Sequence, residues 1–249
     1  MLIWSSVAFY IVGVPAVSNY VVEQIPTSVD KEVGKELSRE ISKTSLHDEG
    51  KTELLQEFYL ELGYDSKTKI HVVKSKEFNA FALPDNSIFV FDQVLKEVKS
   101  YPELAALLGH EYIHIKNRHG MKNLAHSLSR ELLTAVITGG DNTNNFISNS
   151  NKLLTLKNSR DFEIEADKGG LELLVQKHID GNGMTDLFKR MKKISEGHII
   201  PAYLSTHPDT EDRLETIEKK IKEKPNNYVH SDKLEDLFQQ LTTFTNKNY

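Results

Sequence analysis

The chain contains no cysteine. That absence removes disulfides, thiolate metal sites and a cysteine nucleophile together, so a metal held by side chains here must use His, Asp or Glu. It leaves the redox compartment open. An excess of basic side chains is missing too: 31 basic against 36 acidic side chains give a formal net charge of -5. Phosphate backbones require a basic footprint, so the acidic balance argues against nucleic acid as the main partner. No internal repeat is visible, which removes solenoid and tetratricopeptide arrangements. What remains is a chain of 249 residues, 39% hydrophobic, with enough apolar material for one good-sized core.

One stretch lacks charge altogether, running from Leu2 to Val22 before Glu23. It has no basic start and no small-residue cleavage site, so it does not read as a secretory signal. Its length suits a membrane span, but Pro15, Ser5, Ser6, Ser18 and Asn19 dilute it. A weak transmembrane helix, an interfacial helix and a segment packed on the domain all fit, and two of the three attach the chain to a membrane. The expected organisation is a hydrophobic segment at 1–25, one main domain at 26–224 and a helical tail at 225–249.

The most informative run is His110-Glu111-Tyr112-Ile113-His114. At helical pitch His110 and His114 lie one above the other, so both can ligate one metal ion while Glu111 reaches the water that the ion activates. Ser100-Tyr101-Pro102-Glu103 has the form of a capping box with proline in the first turn, and Gly120 offers a stop, predicting a helix from about Pro102 to His119. Leu104, Leu107, Glu111 and His114 share one row, which turns these polar groups toward the interior. Two imidazoles and a carboxylate buried there would be costly without a cation.

Upstream, Val33, Leu37 and Ile41, then Leu54, Leu55, Phe58 and Leu62, mark two amphipathic helices, the second ended by Gly63. Ile70 to Val73 and Ile88 to Phe91 are β-prone, with Phe78 to Leu83 between them and a turn at Pro84 to Ser87, predicting a small sheet before the helix. Downstream come a helix around Ser127 to Ile137, an Asn-rich loop from Gly139 to Asn151 and a long helix resuming near Lys152. On that helix Leu156, Ser159, Glu163, Asp167, Gly170 and Leu174 form one row. Composition alone would make Arg160 to Lys168 a solvated charged face, but the row sets Glu163 and Asp167 in an apolar stripe, which nominates Glu163 as a third ligand. Gly181-Asn182-Gly183 closes the helix. Shorter helices follow at about Met184 to Ile194 and from Pro208 with Leu214, Ile217 and Ile221, then one carrying Leu234, Leu237, Phe238 and Leu241.

Four separated stretches, Asn79-Ala80-Phe81-Ala82-Leu83-Pro84, His110 to His114, Ser159 to Asp167, and Ser205-Thr206-His207-Pro208 with Arg213, resemble in order the motifs of the HtpX, BepA and Oma-type metallopeptidases, which also include the CAAX prenyl endopeptidases. The resemblance spans about Ile25 to Ile221. It implies an α+β, mainly helical, zincin-like (gluzincin) metallopeptidase domain with a small β-sheet beside the active-site helix. It implies one zinc ion on His110, His114 and Glu163, Glu111 as general base, and Asp167 accepting the free ring N–H of a ligating imidazole. His207 would face the zinc from the far wall, either stabilising the tetrahedral intermediate or entering as an extra ligand; alone it could equally cap a helix before Pro208. Arg213 would pair with a carboxylate or a substrate carbonyl. Asn79, Ala80 and Phe81 would belong to an edge strand that binds extended polypeptide by main-chain hydrogen bonds.

The other histidines, His47, His71, His119, His126, His178, His198 and His230, match no ligand position and read as structural or solvated. The implied function is a zinc-dependent endopeptidase in membrane or envelope protein quality control. Its implied setting is a bacterial cell envelope on the periplasmic side or an equivalent organelle membrane. The competing class is a non-catalytic chaperone or assembly factor with a structural or self-closed zinc site.

Overall fold

The structure is a computed structural model, and it describes residues 14–128, 156–195, 202–208, 211–223 and 227–247. Helices α1 (Val14–Gln24), α2 (Thr27–Thr44) and α3 (Glu49–Leu62) lead into strands β1 (Lys69–Val73), β2 (Ala80–Leu83) and β3 (Ser87–Phe91). Then come α4 (Asp92–Glu97), α5 (Tyr101–Lys116), α6 (His119–Ser127), α7 (Arg160–Gln176), α8 (Asn182–Ser195), α9 (Ala202–Thr206), α10 (Glu211–Glu223) and α11 (Asp232–Lys247). The fold is α+β and mainly helical, with the small sheet beside α5. Residues 1–13 of the uncharged stretch, most of the helix expected over Ser127 to Ile137, and the Asn-rich loop lie outside the described residues. No described helix is long and apolar enough to cross a membrane.

The sheet has the order β1-β3-β2, with β1 parallel and β2 antiparallel to β3. Strand β3 is central, and its alternating side chains feed two cores. Ile88 and Val90 join the larger one with Leu55, Phe58, Leu104 and Leu108, while Phe89 joins a second with Val29, Val33, Leu37 and Leu124. The α5 helix therefore runs between a sheet face and the helices behind it. The C-terminal helix α11 buries Leu234, Leu237, Phe238 and Leu241 in the larger core and packs on α3 and α4.

Three boundaries differ from those predicted, each for a local reason. The α5 helix ends at Lys116 rather than continuing to a stop at Gly120, because Arg118 takes a left-handed conformation at φ 54°. That conformation is unfavourable for a non-glycine residue, and it is held in place. The Arg118 guanidinium donates to both Asp30 carboxylate oxygens, at 2.7 and 2.6 Å, and to the carbonyls of Val22 and Ile25. The helix carrying Glu163 starts at Arg160, not near Lys152: residues 156–159 are non-helical, and the Ser159 hydroxyl accepts from Phe162 N as an N-cap. It ends at Gln176, with His178 rather than Gly181 supplying the left-handed turn, at φ 56°. Gly181 belongs to the turn that starts α8.

Candidate metal centre

Helix α5 begins as the sequence indicates, with the Ser100 hydroxyl accepting from Glu103 N at 3.4 Å. The Glu103 carboxylate accepts in turn from Lys99 N and from Arg190 of α8, which fixes the start of the helix against its neighbour. The row Leu104, Leu107, Glu111, His114 is buried throughout, as is His110.

Helix α7 crosses α5 at Gly169 and Gly170. A Cβ at Gly170 would sit 3.2 Å from His110 N, and one at Gly169 would meet Ile113 at 2.8 Å. Glycine inside a helix costs roughly 1 kcal/mol relative to alanine, so what the pair provides is proximity. The close crossing carries Glu163 to the two histidines.

His114 Nε2 lies 3.0 Å from His110 Nε2 and 3.3 Å from Glu163 Oε1, and His110 Nε2 lies 3.5 Å from Glu163 Oε2. His207, just after α9, brings Nδ1 to 3.3 Å from His110 Nε2 and 3.0 Å from Glu163 Oε1. One ligand atom from each of the four lies within 4.8 Å of the others, and all four residues are buried. Zinc bonds of about 2.0 to 2.1 Å put neighbouring corners of a tetrahedron about 3.3 Å apart, so this donor set fits a single zinc ion.

Behind the four lies a fully paired layer. His110 Nδ1 donates to Asp167 Oδ1 at 3.0 Å. Arg213 donates from Nε and Nη2 to the two Asp167 oxygens at 2.7 and 2.8 Å, and its Nη1 sits 2.9 Å from Glu163 Oε2. Buried and committed to these carboxylates and the Pro208 carbonyl, Arg213 takes the carboxylate alternative rather than facing a substrate carbonyl. Against the cost of burial, the three histidines hold Glu163 well below the usual carboxylate range, and Arg213 and His110 hold Asp167 low. Burial opposes a charge on His110, yet Asp167 and Glu163 push it up to about 10. Burial takes His114 down to about 4.

Glu111 is placed differently. It is fully buried, with the Tyr203 hydroxyl and His207 Nε2 as its polar neighbours, the latter 3.6 Å from Oε1; neither meets its oxygens in full hydrogen-bond geometry. Burial raises its proton affinity. The carboxylate lines a cleft of about 260 Å³ whose other walls include Asn79, Phe81, Phe91, Ile41, Asn158 and His207.

Strand β2 forms the outer edge of the sheet at this cleft. Phe91 N donates to Asn79 O, so by the alternation of an antiparallel pair the main-chain groups of Ala80 and Ala82 point away from β3.

Three residues around the site were not singled out as functional by the sequence. Tyr203 stacks on His207 with ring centroids 4.3 Å apart, and Asn158 Nδ2 approaches His207 Nδ1 at 3.3 Å. His119, read as structural or solvated, is fully buried with Nδ1 2.9 Å from His114 Nδ1. In an unbroken helix it would lie about 140° around from His114, so only the break at Arg118 turns it back.

A model of peptidase family M48 matches residues 46–221 of this chain. The mitochondrial metalloendopeptidase OMA1 of Schizosaccharomyces pombe is 32% identical over 186 residues, covering 72% of this chain and 54% of that protein. The human mitochondrial metalloendopeptidase OMA1 is 32% identical over 167 residues, 61% of this chain and 32% of its own length. The metalloprotease LoiP of Escherichia coli is 25% identical over 156 residues, 60% of this chain and 61% of its own. The chain thus spans about half the length of the fission-yeast relative and less of the human one.

Proposed function

The chain belongs to peptidase family M48, whose members are zinc metallopeptidases, and from that premise we propose that it hydrolyses peptide bonds in extended polypeptides with one zinc ion per chain. His110, His114 and Glu163 would hold the ion. Zinc there supplies Lewis acidity, lowering the pKa of a water to about 7 and polarising a carbonyl. Glu111 takes the proton from the attacking water and delivers it to the departing amine, a role suited to a fully buried carboxylate whose proton affinity burial raises. His207, beside both Glu111 and the ligands, donates to the oxygen that becomes negative. Asp167 holds His110 in the tautomer that turns Nε2 to the ion, and Arg213 holds Asp167 and Glu163 in place. The edge at Asn79, Ala80 and Phe81 receives substrate main chain as an added strand. No covalent intermediate is required.

The single observation that carries this reading is a fully buried Glu111 beside a donor set that fits zinc. The test is metal analysis of the purified protein together with cleavage of casein by the parent and by Glu111→Gln. One zinc in both proteins, with cleavage at least about 100-fold slower in the variant, is the expected result. Loss of zinc in the variant, or cleavage that ignores Glu111, would refute the assignment.

One observation favours a second reading. His207 stands close enough to be a fourth ligand, and a zinc saturated by four side chains would give a self-closed site suited to a holding or assembly factor. Faster cleavage by His207→Ala than by the parent would reveal such closure; slower cleavage assigns His207 to the transition state.

A place in protein quality control fits a peptidase whose relatives are named mitochondrial metalloendopeptidases, and attachment to a membrane would fall to the uncharged N-terminal stretch, whose residues Val21 and Val22 pack into the second core. A bacterial envelope, on the periplasmic side, fits the same stretch.

A further inference from the structure

Behind each histidine of the pair stands a hydrogen-bonding partner, and the two partners are unlike. His110 has the Asp167 carboxylate. His114 has another imidazole: His119 Nδ1 at 2.9 Å, whose Nε2 lies 3.1 Å from Glu165 Oε2. Only one arrangement of protons satisfies this chain once His114 Nε2 is reserved for a metal. His114 Nδ1–H donates to His119 Nδ1, and His119 Nε2–H donates to Glu165. His119 can accept only as the neutral ring, and full burial against Phe162, stacked at 4.4 Å with an interplanar angle of 9°, keeps it so. Glu165 is half exposed and also accepts from Asn117 Nδ2.

We propose that His119 is a positioning residue for the metal centre, fixing the ring orientation and tautomer of His114 through a Glu165–His119–His114 relay. The proposal rests on the metallopeptidase reading above, because it needs His114 to be a ligand. Groups that fix a ligating imidazole in this way typically contribute about 10- to 100-fold to metal affinity. His119 sits at the first residue of α6, so the Arg118 turn and the Asp30 pair that stabilises it set the geometry of the relay.

The experiment is chelator competition for zinc on the full chain, comparing the parent with His119→Leu, His119→Asn and Glu165→Ala, alongside thermal unfolding of each metal-free protein. Leucine keeps the apolar packing and removes the acceptor. Asparagine places an amide oxygen near the position of Nδ1 and restores it. The expected result is zinc affinity about 10- to 100-fold weaker in His119→Leu, recovery to within about threefold of the parent in His119→Asn, and a loss of a few fold in Glu165→Ala.

Parent-like affinity in His119→Leu would overturn the proposal, leaving His119 a packing residue, and so would equal weakening in the leucine and asparagine variants. If His119→Leu does not fold, Glu165→Ala decides, with unchanged affinity counting against the relay. A parent that binds no zinc fails the metallopeptidase reading itself, whereas a parent with zinc and Glu111-dependent cleavage but indifferent His119 variants fails only this inference.

Discussion

The two walls of the site obey opposite rules. The rear wall, Asp167, Arg213 and the inner edge of Glu163, is buried with its charges paired in a continuous network. The front wall, facing the cleft, meets the Glu111 carboxylate only loosely, with His207 at 3.6 Å, and among the described residues leaves the outward main-chain groups of β2 without a strand partner. A buried polar group without partners costs on the order of 1–3 kcal/mol, so the fold tolerates this only where a reacting group or a substrate takes the missing contacts. What holds is closely ion-paired, down to Glu163 Oε2, which lacks a hydrogen bond but has Arg213 at 2.9 Å; what acts faces the cleft.

The strongest way to break that contrast is to unpair the rear wall. Arg213→Ala should destabilise the metal-free protein by about 3–5 kcal/mol in denaturant unfolding, because it strands two buried carboxylates. Glu111→Gln, on the front wall, should leave that stability close to the parent's while abolishing cleavage. Similar stability losses in both variants would show that the walls do not differ.

Acid sharpens the same comparison. Asp167 and Glu163 are held below their ordinary values of 3.8 and 4.5, so the stability they contribute is complete above those values and is lost as pH falls through the depressed folded ones. Unfolding free energy of the metal-free protein should therefore drop steeply below about pH 4, and Asp167→Asn should flatten that slope. An unchanged slope would locate the acid-sensitive groups elsewhere. A smaller effect is expected at the cleft edge. Ala82→Pro removes one outward N–H from a strand edge without touching the β3 ladder, and should raise KM for an extended peptide by about 5- to 10-fold, the worth of one hydrogen bond. An unchanged KM would argue against strand addition there.

Much of this site was readable along the chain because the chemistry is periodic. His110 and His114 are one helical turn apart, and Glu163 and Asp167 interrupt an apolar row at the same spacing. The cap at Ser100 is legible too, whereas Ser159 reads as a helix-interior residue and its cap is missed, because residues 156–159 continue the helical spacing without adopting a helix. The turn at Arg118 could not be read locally, since its support comes from Asp30 and from the carbonyls of Val22 and Ile25 far away in sequence. His119 was passed over for that reason.

The sequence by itself determined which residue types could form a metal site and which helix faces would bury them, since both follow from spacing within single helices and from the absence of cysteine. Only the tertiary structure decided that Gly169 and Gly170 let two helices approach closely enough to bring Glu163 to the histidines. It also decided that His207 joins them, that Arg213 lies behind the ligands, and that His119 backs His114. Those relations depend on contacts between residues dozens of positions apart, which packing creates and no local periodicity encodes.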